Sequence, residues 1–336
     1  MVDGEWRYDA EKLNRDETGG EFVREATSFR DWIAGTRRGP DDVVDDGPAP
    51  ESGRYHLYVS YACPWAHRTL LARSLKGLEE AISVNVVAPV RQDDGWEFHG
   101  DVDGATPDDL FGADYLREVY ARADSSFTGR VTVPVLWDRE AGTIVNNESV
   151  EIMRMLDTAF DAHATTDADL YPEGYRDEVD RLIEAIYDPV NNGVYRAGFT
   201  ESQAAYDEAV ADLFAALDRW DDHLADRRYL AGDVLTEADL AMFTTLYRFD
   251  EVYHTHFKCN RRRLTDYEHL WGYLRDLYAI PAVAATCRMD HVKTHYYRSH
   301  PDIDPVGLVP VGPDPDFEAP HDRERLPGGP PADLLG

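Results

Sequence analysis

A strand–turn–helix unit at residues 57–76 constrains the fold of this chain more than any other stretch. Residues 57–60 have the pattern of a short strand, and residues 66–76 have the pattern of a helix. Cys63 lies in the turn between them, and Pro64 takes the first helical position. Proline suits that position because its φ is already helical and its missing N–H would have had no partner. The sequence therefore predicts a cysteine sulfur at the N-terminus of a helix.

This position predicts a reactive thiol. The unpaired N–H groups and the positive end of the helix macrodipole favour the thiolate over the thiol, and His67 and Arg68 can add positive charge. The alternative is a buried packing cysteine, but a Cys-Pro pair that opens a helix directly after a strand favours the reactive one. Position 66 is alanine and not a second cysteine. Any disulfide formed at Cys63 therefore joins a thiol outside the chain.

The following elements extend this unit to an α/β domain. Residues 83–90 predict a second strand, residues 131–138 a third and residues 143–145 a fourth, and a helix follows. The order β-α-β, hairpin, helix resembles the thioredoxin fold. Pro134 is unusual in a central strand because it cannot donate to the ladder. A cis Val133–Pro134 bond at the start of the third strand resolves this and leaves the backbone of Val133 free to pair with an extended ligand.

The second half of the chain is predicted to be helical. Apolar residues recur at helical spacing almost throughout residues 175–288. Thr236 and Asp239 form a Thr-x-x-Asp capping box with Leu235 at the staple position, which is a folding device and not a catalytic one. The predicted fold class is an α/β thioredoxin-like N-terminal domain followed by an all-α C-terminal domain.

The predicted parts of the chain differ in composition. They are an N-terminal arm at 1–54 with an amphipathic piece at 22–33, a thioredoxin-like domain at 55–160 with an insertion at 91–130, a helical domain at 174–300, and an extended Pro-rich tail at 301–336. A connection as long as the insertion is usually functional or partly disordered.

The charge of the chain is strongly acidic. It carries 65 Asp and Glu residues against 34 Lys and Arg residues, a formal net charge of −31. The acidic residues are spread along the sequence, which predicts a solvated acidic surface and not an interaction tail. Such self-repulsion is tolerable where salt screens it, so we expect a protein adapted to a saline cytosol. The same charge argues against nucleic acid or an anionic membrane as partners.

Cysteine use and hydropathy predict a cytoplasmic protein. Three cysteines are too few for a disulfide framework, which fits a reducing compartment. No apolar run approaches the length of a membrane span, and the N-terminus lacks a basic and then apolar signal.

Six motifs in one order resemble the glutathionyl-hydroquinone reductases, which are the Xi-class or omega-like glutathione transferases. The resemblance runs from residue 22 to residue 312. The motifs are Tyr61-Ala62-Cys63-Pro64-Trp65-Ala66-His67-Arg68, Gly95-Trp96-Glu97-Phe98, Val133-Pro134-Val135-Leu136-Trp137-Asp138, Asn146-Asn147-Glu148-Ser149, Asn191-Asn192-Gly193-Val194-Tyr195 and His295-Tyr296-Tyr297-Arg298-Ser299-His300.

The resemblance implies a thiol-dependent reduction. Cys63 would attack the sulfur of an S-glutathionyl-hydroquinone, release the hydroquinone, and keep glutathione as a mixed disulfide that a second thiol resolves. Glutathione or γ-glutamylcysteine would be the thiol co-substrate, because the site would serve the γ-glutamylcysteine portion of either. The resemblance also implies a homodimer.

The resemblance assigns the thiol-binding residues. Val133 would pair with the cysteinyl part of the thiol, Glu148 would bind its ammonium group, and Ser149 would bind its carboxylate at a helix start. Trp96 would lie over the thiol, and Arg130 would contact a carboxylate. Without the family, the preferred interpretation of residues 147–149 is a simple N-cap with an acidic first turn.

Tyrosines are the residues assigned to the aromatic substrate. Tyr195 and Tyr296 would hydrogen-bond a quinol oxygen and help to protonate the leaving carbon, and Tyr297 is a third candidate. The chain has 19 tyrosines, so this assignment depends on the family motifs alone.

The remaining candidate ligands and thiols are interpreted as structural. His291 and His295 have a helical metal-ligand spacing but no third ligand in a motif, so no metal is expected. Cys259 and Cys287 lack a helix-start context and are taken as packing residues.

Two other functions stay open at this point. One is a related thiol transferase that acts on glutathionylated proteins or dehydroascorbate. The other is a non-enzymatic module with the glutathione transferase fold. Replacement of Cys63 by serine separates the module from the enzymes, since a scaffold would keep its function.

Overall fold

The computed structural model describes residues 1–7, 20–24 and 26–335, so residues 8–19 and Glu25 of the predicted arm lie outside it. A four-stranded sheet with its helices is followed by a larger helical region, which confirms the predicted thioredoxin-like plus all-α architecture. The strands are β1 (Arg37–Gly39), β2 (Asp42–Val43), β3 (Tyr55–Val59), β4 (Ser83–Val86), β5 (Val135–Asp138) and β6 (Thr143–Asn146). The helices are α1 (Pro64–Leu75), α2 (Leu116–Ala123), α3 (Ser149–Thr158), α4 (Arg176–Ile186), α5 (Gly193–Phe199), α6 (Gln203–His223), α7 (Glu237–Leu246), α8 (Glu268–Tyr278), α9 (Pro281–Ala284) and α10 (Met289–Arg298).

The main sheet has the strand order β4-β3-β5-β6. β3 pairs in parallel with β4 and antiparallel with β5, and β5 pairs antiparallel with β6. Every residue of β3 and β5 is buried, so these two strands form the middle of the core. α1 packs on α3 and also contacts α7 and α9. The helix that follows Cys63 therefore lies at the junction with the helical region.

Two strands are shorter than the sequence pattern indicates. β5 begins at Val135 and not at residue 131, because Pro134 has no N–H with which to extend the ladder. β4 ends at Val86, where the chain leaves the sheet toward the insertion, and does not continue to residue 90.

The described part of the arm lies along the edge strand β6. The described residues of the amphipathic piece, 22–24 and 26–33, contain no helix, and Arg30 forms a bridge with Asn146. The N–H of Asp31 donates to the carbonyl of Val145 at 3.0 Å. Backbone pairing therefore holds this part of the arm against the sheet. The hairpin of β1 and β2 follows.

The insertion at residues 91–130 is organised around the carboxylate of Asp108. This buried group accepts the hydroxyl of Tyr58 at 3.0 Å. It also accepts the N–H groups of Leu110 and Ala113 at 3.1 and 3.0 Å. The insertion is thus tied to β3, and it contributes helix α2 to the domain.

The predicted capping box is present at the start of α7. One carboxylate oxygen of Asp239 accepts the N–H and the hydroxyl of Thr236 at 2.8 and 3.0 Å. The other oxygen accepts the N–H of Leu230 and the hydroxyl of Tyr273, both at 2.8 Å. The box therefore joins the helix start to a preceding turn and to α8.

The Pro-rich tail runs over the helical region. The ring of Phe317 packs against Trp271 and Tyr278, with centroids 5.8 and 5.2 Å apart. Arg323 is fully buried and donates to the carbonyl of Leu224 at 2.7 Å. These contacts hold the tail against α8 and the end of α6.

Candidate active site

Cys63 occupies the N-cap of α1 in an extended conformation, with φ −78° and ψ 121°. Pro64 is the first helical residue, as the sequence predicts. The Sγ atom of Cys63 lies 3.6 Å from the carbonyl oxygen of Val133. The Val133–Pro134 peptide bond is cis, as expected. The turn after β3 and the loop before β5 therefore meet at the sulfur.

The environment of the Cys63 sulfur has opposing effects on its ionisation. Burial raises the pKa of the thiol. The N–H groups of Ala66 and Trp65 and the positive charges of Arg248 and Arg24 oppose this rise. The net direction is opposite to the one expected from the helix N-terminus alone, because desolvation of the sulfur outweighs the dipole and the cations. The sequence contains no signal for how closely the helical region encloses this turn.

His67 does not supply the positive charge that the sequence suggested. It is fully buried, and its Nδ1 accepts a hydrogen bond from Arg248 at 3.1 Å. Its Nε2 lies 2.8 Å from the hydroxyl of Thr286, which in turn donates to the carbonyl of Val283. Burial and Arg248 lower the pKa of His67 well below its usual range. The imidazole is therefore neutral, with its proton on Nε2.

Arg68 does carry charge beside the predicted thiol-binding residues. Burial lowers the pKa of Arg68 to about 10, so the guanidinium stays protonated at neutral pH. It donates to Asn191 at 2.7 Å and lies 3.5 Å from the hydroxyl of Ser149. Glu148 and Cys63 both act on the pKa of Arg68. Arg68 is therefore within electrostatic range of both the sulfur and the start of α3.

Glu148 and Ser149 lie where the sequence places them, at the N-cap and first residue of α3. Ser149 is buried, and Glu148 is half-buried. The carboxylate of Glu148 accepts the hydroxyl of Thr27 in the arm at 3.3 Å. The arm therefore borders the predicted thiol-binding residues at the start of α3, which the sequence did not indicate.

Trp96 and Arg130 lie in the insertion. The ring of Trp96 is buried and stacks on His295 of α10, with centroids 5.0 Å apart and planes 20° apart. Arg130 is half-buried and directly follows Gly129, whose carbonyl accepts the amino group of Met1 at 2.7 Å. The thiol contacts of both residues stay predictions.

Three tyrosine hydroxyls meet in the helical region. Those of Tyr195 in α5 and Tyr296 in α10 are 2.5 Å apart. The hydroxyl of Tyr253 lies 3.2 Å from that of Tyr296. The structure therefore brings together the two predicted tyrosines and adds a third. Tyr253 lies in a π-helical segment, Phe249–Tyr253, without a motif that could have distinguished it from the other tyrosines.

The tyrosine cluster lies close to the sulfur. Cys63 acts on the pKa of Tyr195, which burial raises as it does those of Tyr253 and Tyr296. All three hydroxyls therefore hold their protons at neutral pH. Tyr195 is 9% exposed whereas Tyr253 is fully buried, so Tyr195 is the more accessible of the two to a substrate ring.

Tyr297 is not part of this cluster. Its hydroxyl donates to the carbonyl of Glu251 at 3.1 Å. Its ring packs against His256, with centroids 4.7 Å apart. Neighbouring residues of a helix point about 100° apart, so Tyr296 and Tyr297 cannot both face the same site.

The arm contributes two residues that the motifs did not single out. The guanidinium of Arg24 lies over the rings of Trp65 and Tyr195, 4.6 and 4.9 Å from their centroids. Its Nε donates to Asn192 at 3.1 Å. Phe22 stacks on Tyr195, with centroids 6.3 Å apart. The only sequence signal for these residues was the spacing of apolar residues in the arm. That spacing predicted that the arm is anchored on the body of the protein, and it did not predict that the arm is part of the site.

The candidate metal ligands bind separate backbone carbonyls. His291 lies 2.6 Å from the carbonyl of Asp103, and His295 lies 2.8 Å from that of Pro89. Among the residues described, no group of three or more His, Cys, Asp or Glu side chains is arranged to hold a metal ion. Nor does this part of the chain contain a helix with the length and apolar character needed to span a membrane.

The other two cysteines are free thiols in packed surroundings. Cys259 is fully buried, and burial raises its pKa. Burial also raises the pKa of Cys287 to about 12. Neither thiol is therefore ionised at neutral pH.

Two family models match this chain. Residues 62–159 match the N-terminal domain of glutathione S-transferases, and residues 203–276 match their C-terminal domain. The first range covers Cys63 and the strands β4, β5 and β6, and the second covers α6, α7 and most of α8.

Individual relatives cover nearly the whole chain. The glutathionyl-hydroquinone reductase YqjG of Escherichia coli (strain K12) is 50% identical over 96% of this chain and 98% of its own length. The structure of a Xi-class glutathione S-transferase from Natrialba magadii is 59% identical, with a TM-score of 0.90 over 98% of this chain and 97% of that one. The glutathione-bound structure of YqjG has a TM-score of 0.86 at 47% identity, over 96% and 98% of the two chains. This chain therefore belongs to the glutathionyl-hydroquinone reductases, the Xi class of the glutathione S-transferase family.

Proposed function

We propose that the protein reduces S-glutathionyl-hydroquinones to hydroquinones with glutathione as the co-substrate. The observation that carries the proposal is the combination of a single cysteine at a helix N-terminus with a cluster of protonated tyrosine hydroxyls in electrostatic contact with it. The E. coli relative with the same architecture is a glutathionyl-hydroquinone reductase, and its structure binds glutathione. The substrate therefore combines a thiol part and an aromatic part.

The first step breaks the bond between sulfur and ring. The Cys63 thiolate attacks the glutathione sulfur, a disulfide forms, and the electron pair of the carbon–sulfur bond goes to the ring carbon. That carbon takes one proton and becomes the C–H of the hydroquinone. Cysteine is thereby oxidised to a mixed disulfide, and the ring is reduced by two electrons.

Tyr195 and Tyr296 are proposed as the source of that proton. Burial raises the pKa of both hydroxyls, so both are protonated before the reaction. Their 2.5 Å contact lets the second hydroxyl stabilise the phenolate that forms on the first. A substrate hydroxyl can join the same hydrogen-bonded group, which orients the ring.

The second step regenerates the enzyme. A second glutathione thiolate attacks the glutathione sulfur of the mixed disulfide, so oxidised glutathione leaves and Cys63 returns as a thiolate. The absence of a cysteine at position 66 requires this external thiol. Val133, Glu148 and Ser149 would bind the γ-glutamylcysteine portion of the thiol, with Trp96 and Arg130 at its edge.

A substrate comparison tests this function. The purified chain is assayed with glutathione and S-glutathionyl-menadione, glutathionylated peptide or dehydroascorbate. We expect menadiol and oxidised glutathione from the first at a higher kcat/KM than from the others. Turnover of the peptide alone would overturn the quinol assignment. A parallel assay with γ-glutamylcysteine identifies the preferred thiol.

Two variants, each of which replaces one cysteine, test the mechanism. Cys63→Ser should lose at least about a hundredfold in turnover, whereas Cys259→Ala should keep it. One equivalent of conjugate without a second thiol should add one glutathionyl mass to the wild type and none to the serine variant. Unchanged turnover by Cys63→Ser would contradict the mixed disulfide.

The setting of this activity is proposed from the same features. The net charge of −31 supports a saline cytoplasm, and the family resemblance supports a homodimer. The domain division at residues 55–160 and 174–300 would separate a thiol-binding from a ring-binding half, with an arm before them and a Pro-rich tail after them.

A further inference from the structure

Arg248 is a fully buried cation of the helical region that holds the turn carrying Cys63. It lies between α7 and the Phe249–Tyr253 segment. Its Nε donates to the carbonyl of Ala62 at 2.9 Å, and its Nη2 donates to that of Tyr61 at 2.8 Å. These two residues immediately precede Cys63. One side chain therefore binds two consecutive carbonyls of the turn across nearly 190 residues of sequence.

The remaining contacts of Arg248 fix its orientation. Its Nη1 donates to the carbonyl of Thr244 at 2.7 Å and to Nδ1 of His67 at 3.1 Å. The first partner lies one helical turn before Arg248, and the second lies in α1 one turn after Cys63. The guanidinium is thus held in one plane by hydrogen bonds to both regions of the molecule.

None of these four partners is an anion. The buried Arg154, by contrast, forms ion pairs with Asp180 and Glu237 at 2.8 and 2.7 Å. Within the described residues, no carboxylate forms an ion pair of 4.0 Å or less with Arg248. A buried charge without a counter-ion is costly, and its field is little screened by water or salt. Such a charge is suited to stabilise an anion that forms only during function.

The anion that this charge can stabilise is the thiolate of Cys63. Arg248 lowers the pKa of Cys63 against the effect of burial, and it lowers that of His67 too, so the imidazole beside it stays neutral. The other charged or titratable groups that face the sulfur are Arg24 from the arm, Arg68 from α1 and Tyr195 from α5.

We propose that Arg248 is the positioning residue of Cys63: it holds the Tyr61–Ala62 turn and serves as the buried counter-charge of the thiolate that attacks in the first step and is released in the second. The proposal rests on the proposed function, since it assigns Cys63 as the nucleophile. It makes the helical region a contributor to thiol activation as well as to ring binding.

The test measures Cys63 alone. The rate of iodoacetamide alkylation of the Cys63 peptide is followed by mass spectrometry against pH in wild type, Arg248→Met and Arg248→Lys. For Arg248→Met we expect the pH midpoint to rise by about one unit, that is, about tenfold less thiolate at a given pH. Arg248→Lys keeps the charge, so its midpoint should stay close to wild type. Because one ammonium group cannot bind both carbonyls as a planar fork does, its kcat should still fall about tenfold at an unchanged KM for glutathione.

The matched control is Arg323→Met. Arg323 is also a buried arginine that donates to backbone carbonyls, those of Leu224 and Arg228, but it lies in the tail and not beside the Cys63 turn. Its loss should lower the thermal midpoint without moving the alkylation midpoint of Cys63. If Arg248→Met does not fold, the proposal is tested by the lysine variant and by the salt dependence of the wild type. A buried counter-charge predicts that the pH midpoint of Cys63 alkylation does not depend on salt.

Three outcomes would overturn the proposal. They are a wild-type midpoint in Arg248→Met, an equal shift in Arg323→Met, or a wild-type midpoint that rises with salt. Alkylation needs no quinol conjugate. A missing reductase activity with an intact midpoint shift would therefore refute the proposed function and leave the role of Arg248 standing.

Discussion

Arg24 is the residue through which the arm enters the site. Its guanidinium covers Trp65 and Tyr195 and opposes the burial effect on the pKa of Cys63. A cation stacked on two rings contributes roughly 0.5 to 2 kcal/mol, depending on how well water is excluded. It can also attract the negative charge that develops on the leaving ring.

Arg24→Met should therefore lower kcat/KM for S-glutathionyl-menadione about tenfold, because it removes the cation but keeps much of the apolar volume. The control is Arg38→Met in β1, whose partner Asp42 is exposed, and which should leave kcat/KM unchanged. Steady-state kinetics at fixed glutathione concentration measures both. Equal kcat/KM in the two variants would show that the arm acts only as an anchor.

His295 gives a prediction for pH. Burial and the nearby Arg91 lower its pKa to about 3, against a usual 6.5. A depressed histidine pKa contributes stability above pH 6.5 that is lost as the pH falls toward 3, because unfolding then takes up a proton.

In wild type, Nδ1 of His295 lies 2.8 Å from the carbonyl of Pro89. In His295→Asn the side-chain amide can donate in place of Nδ1, but asparagine does not titrate. The advantage of the wild type in the free energy of unfolding should therefore shrink by about 1.4 kcal/mol per pH unit below pH 6.5. Denaturant unfolding of both proteins at several pH values measures the difference. A difference independent of pH would contradict the neutral buried imidazole.

The capping box of α7 is the clearest case at the scale of elements. The carboxylate of Asp239 accepts four hydrogen bonds from groups in three elements. Asp239→Asn replaces one acceptor oxygen by a donor amide. At least one of Thr236, Leu230 and Tyr273 would then lose its acceptor inside the protein.

We expect Asp239→Asn to lower the free energy of unfolding by about 2 to 4 kcal/mol, because each buried unsatisfied group costs about 1 to 3 kcal/mol. Tyr273→Phe removes only one of the four donors and should cost about 1 kcal/mol. Denaturant unfolding measures both. A similar loss in the two variants would mean that the box contributes no more than a single hydrogen bond.

Elements that depend on local chemistry were predictable from the sequence. The Cys63–Pro64 helix start, the cis Val133–Pro134 bond and the box at Asp239 each depend on neighbours within a few residues. Arg24 and Tyr253 were not, because their contacts cross the chain and neither lies in a motif. The ionisation of Cys63 was predicted in the wrong direction for the same reason, since desolvation is a property of the packed molecule.

At the scale of the molecule, four separate parts of the chain build the candidate site. The arm supplies Arg24, the β3–α1 turn supplies Cys63, the start of α3 supplies Glu148, and the helical region supplies Tyr195 and Arg248. Loosening the contact between the sheet domain and the helical region should therefore disturb Cys63 and the tyrosine cluster together.

The net charge determines at which salt concentrations the folded chain is stable. With 65 acidic residues against 34 basic ones, mutual repulsion favours expansion of the chain at low salt. At 1 M salt the Debye length is about 3 Å, so exposed carboxylates no longer repel one another over longer distances. The thermal unfolding midpoint should therefore rise by several degrees as KCl is added, and turnover should rise with it.

A charge-reduced variant separates screening from other effects of salt. Glu80, Glu208 and Asp222 are exposed, and their replacement by Gln, Gln and Asn removes three negative charges without touching the core. This variant should have a higher midpoint than the wild type at low KCl and a smaller rise with KCl. A neutral excluded osmolyte such as sucrose should raise both proteins equally, since it does not screen charge. If KCl also raised both equally, exclusion of solute from the surface and not charge screening would be the cause of the salt effect.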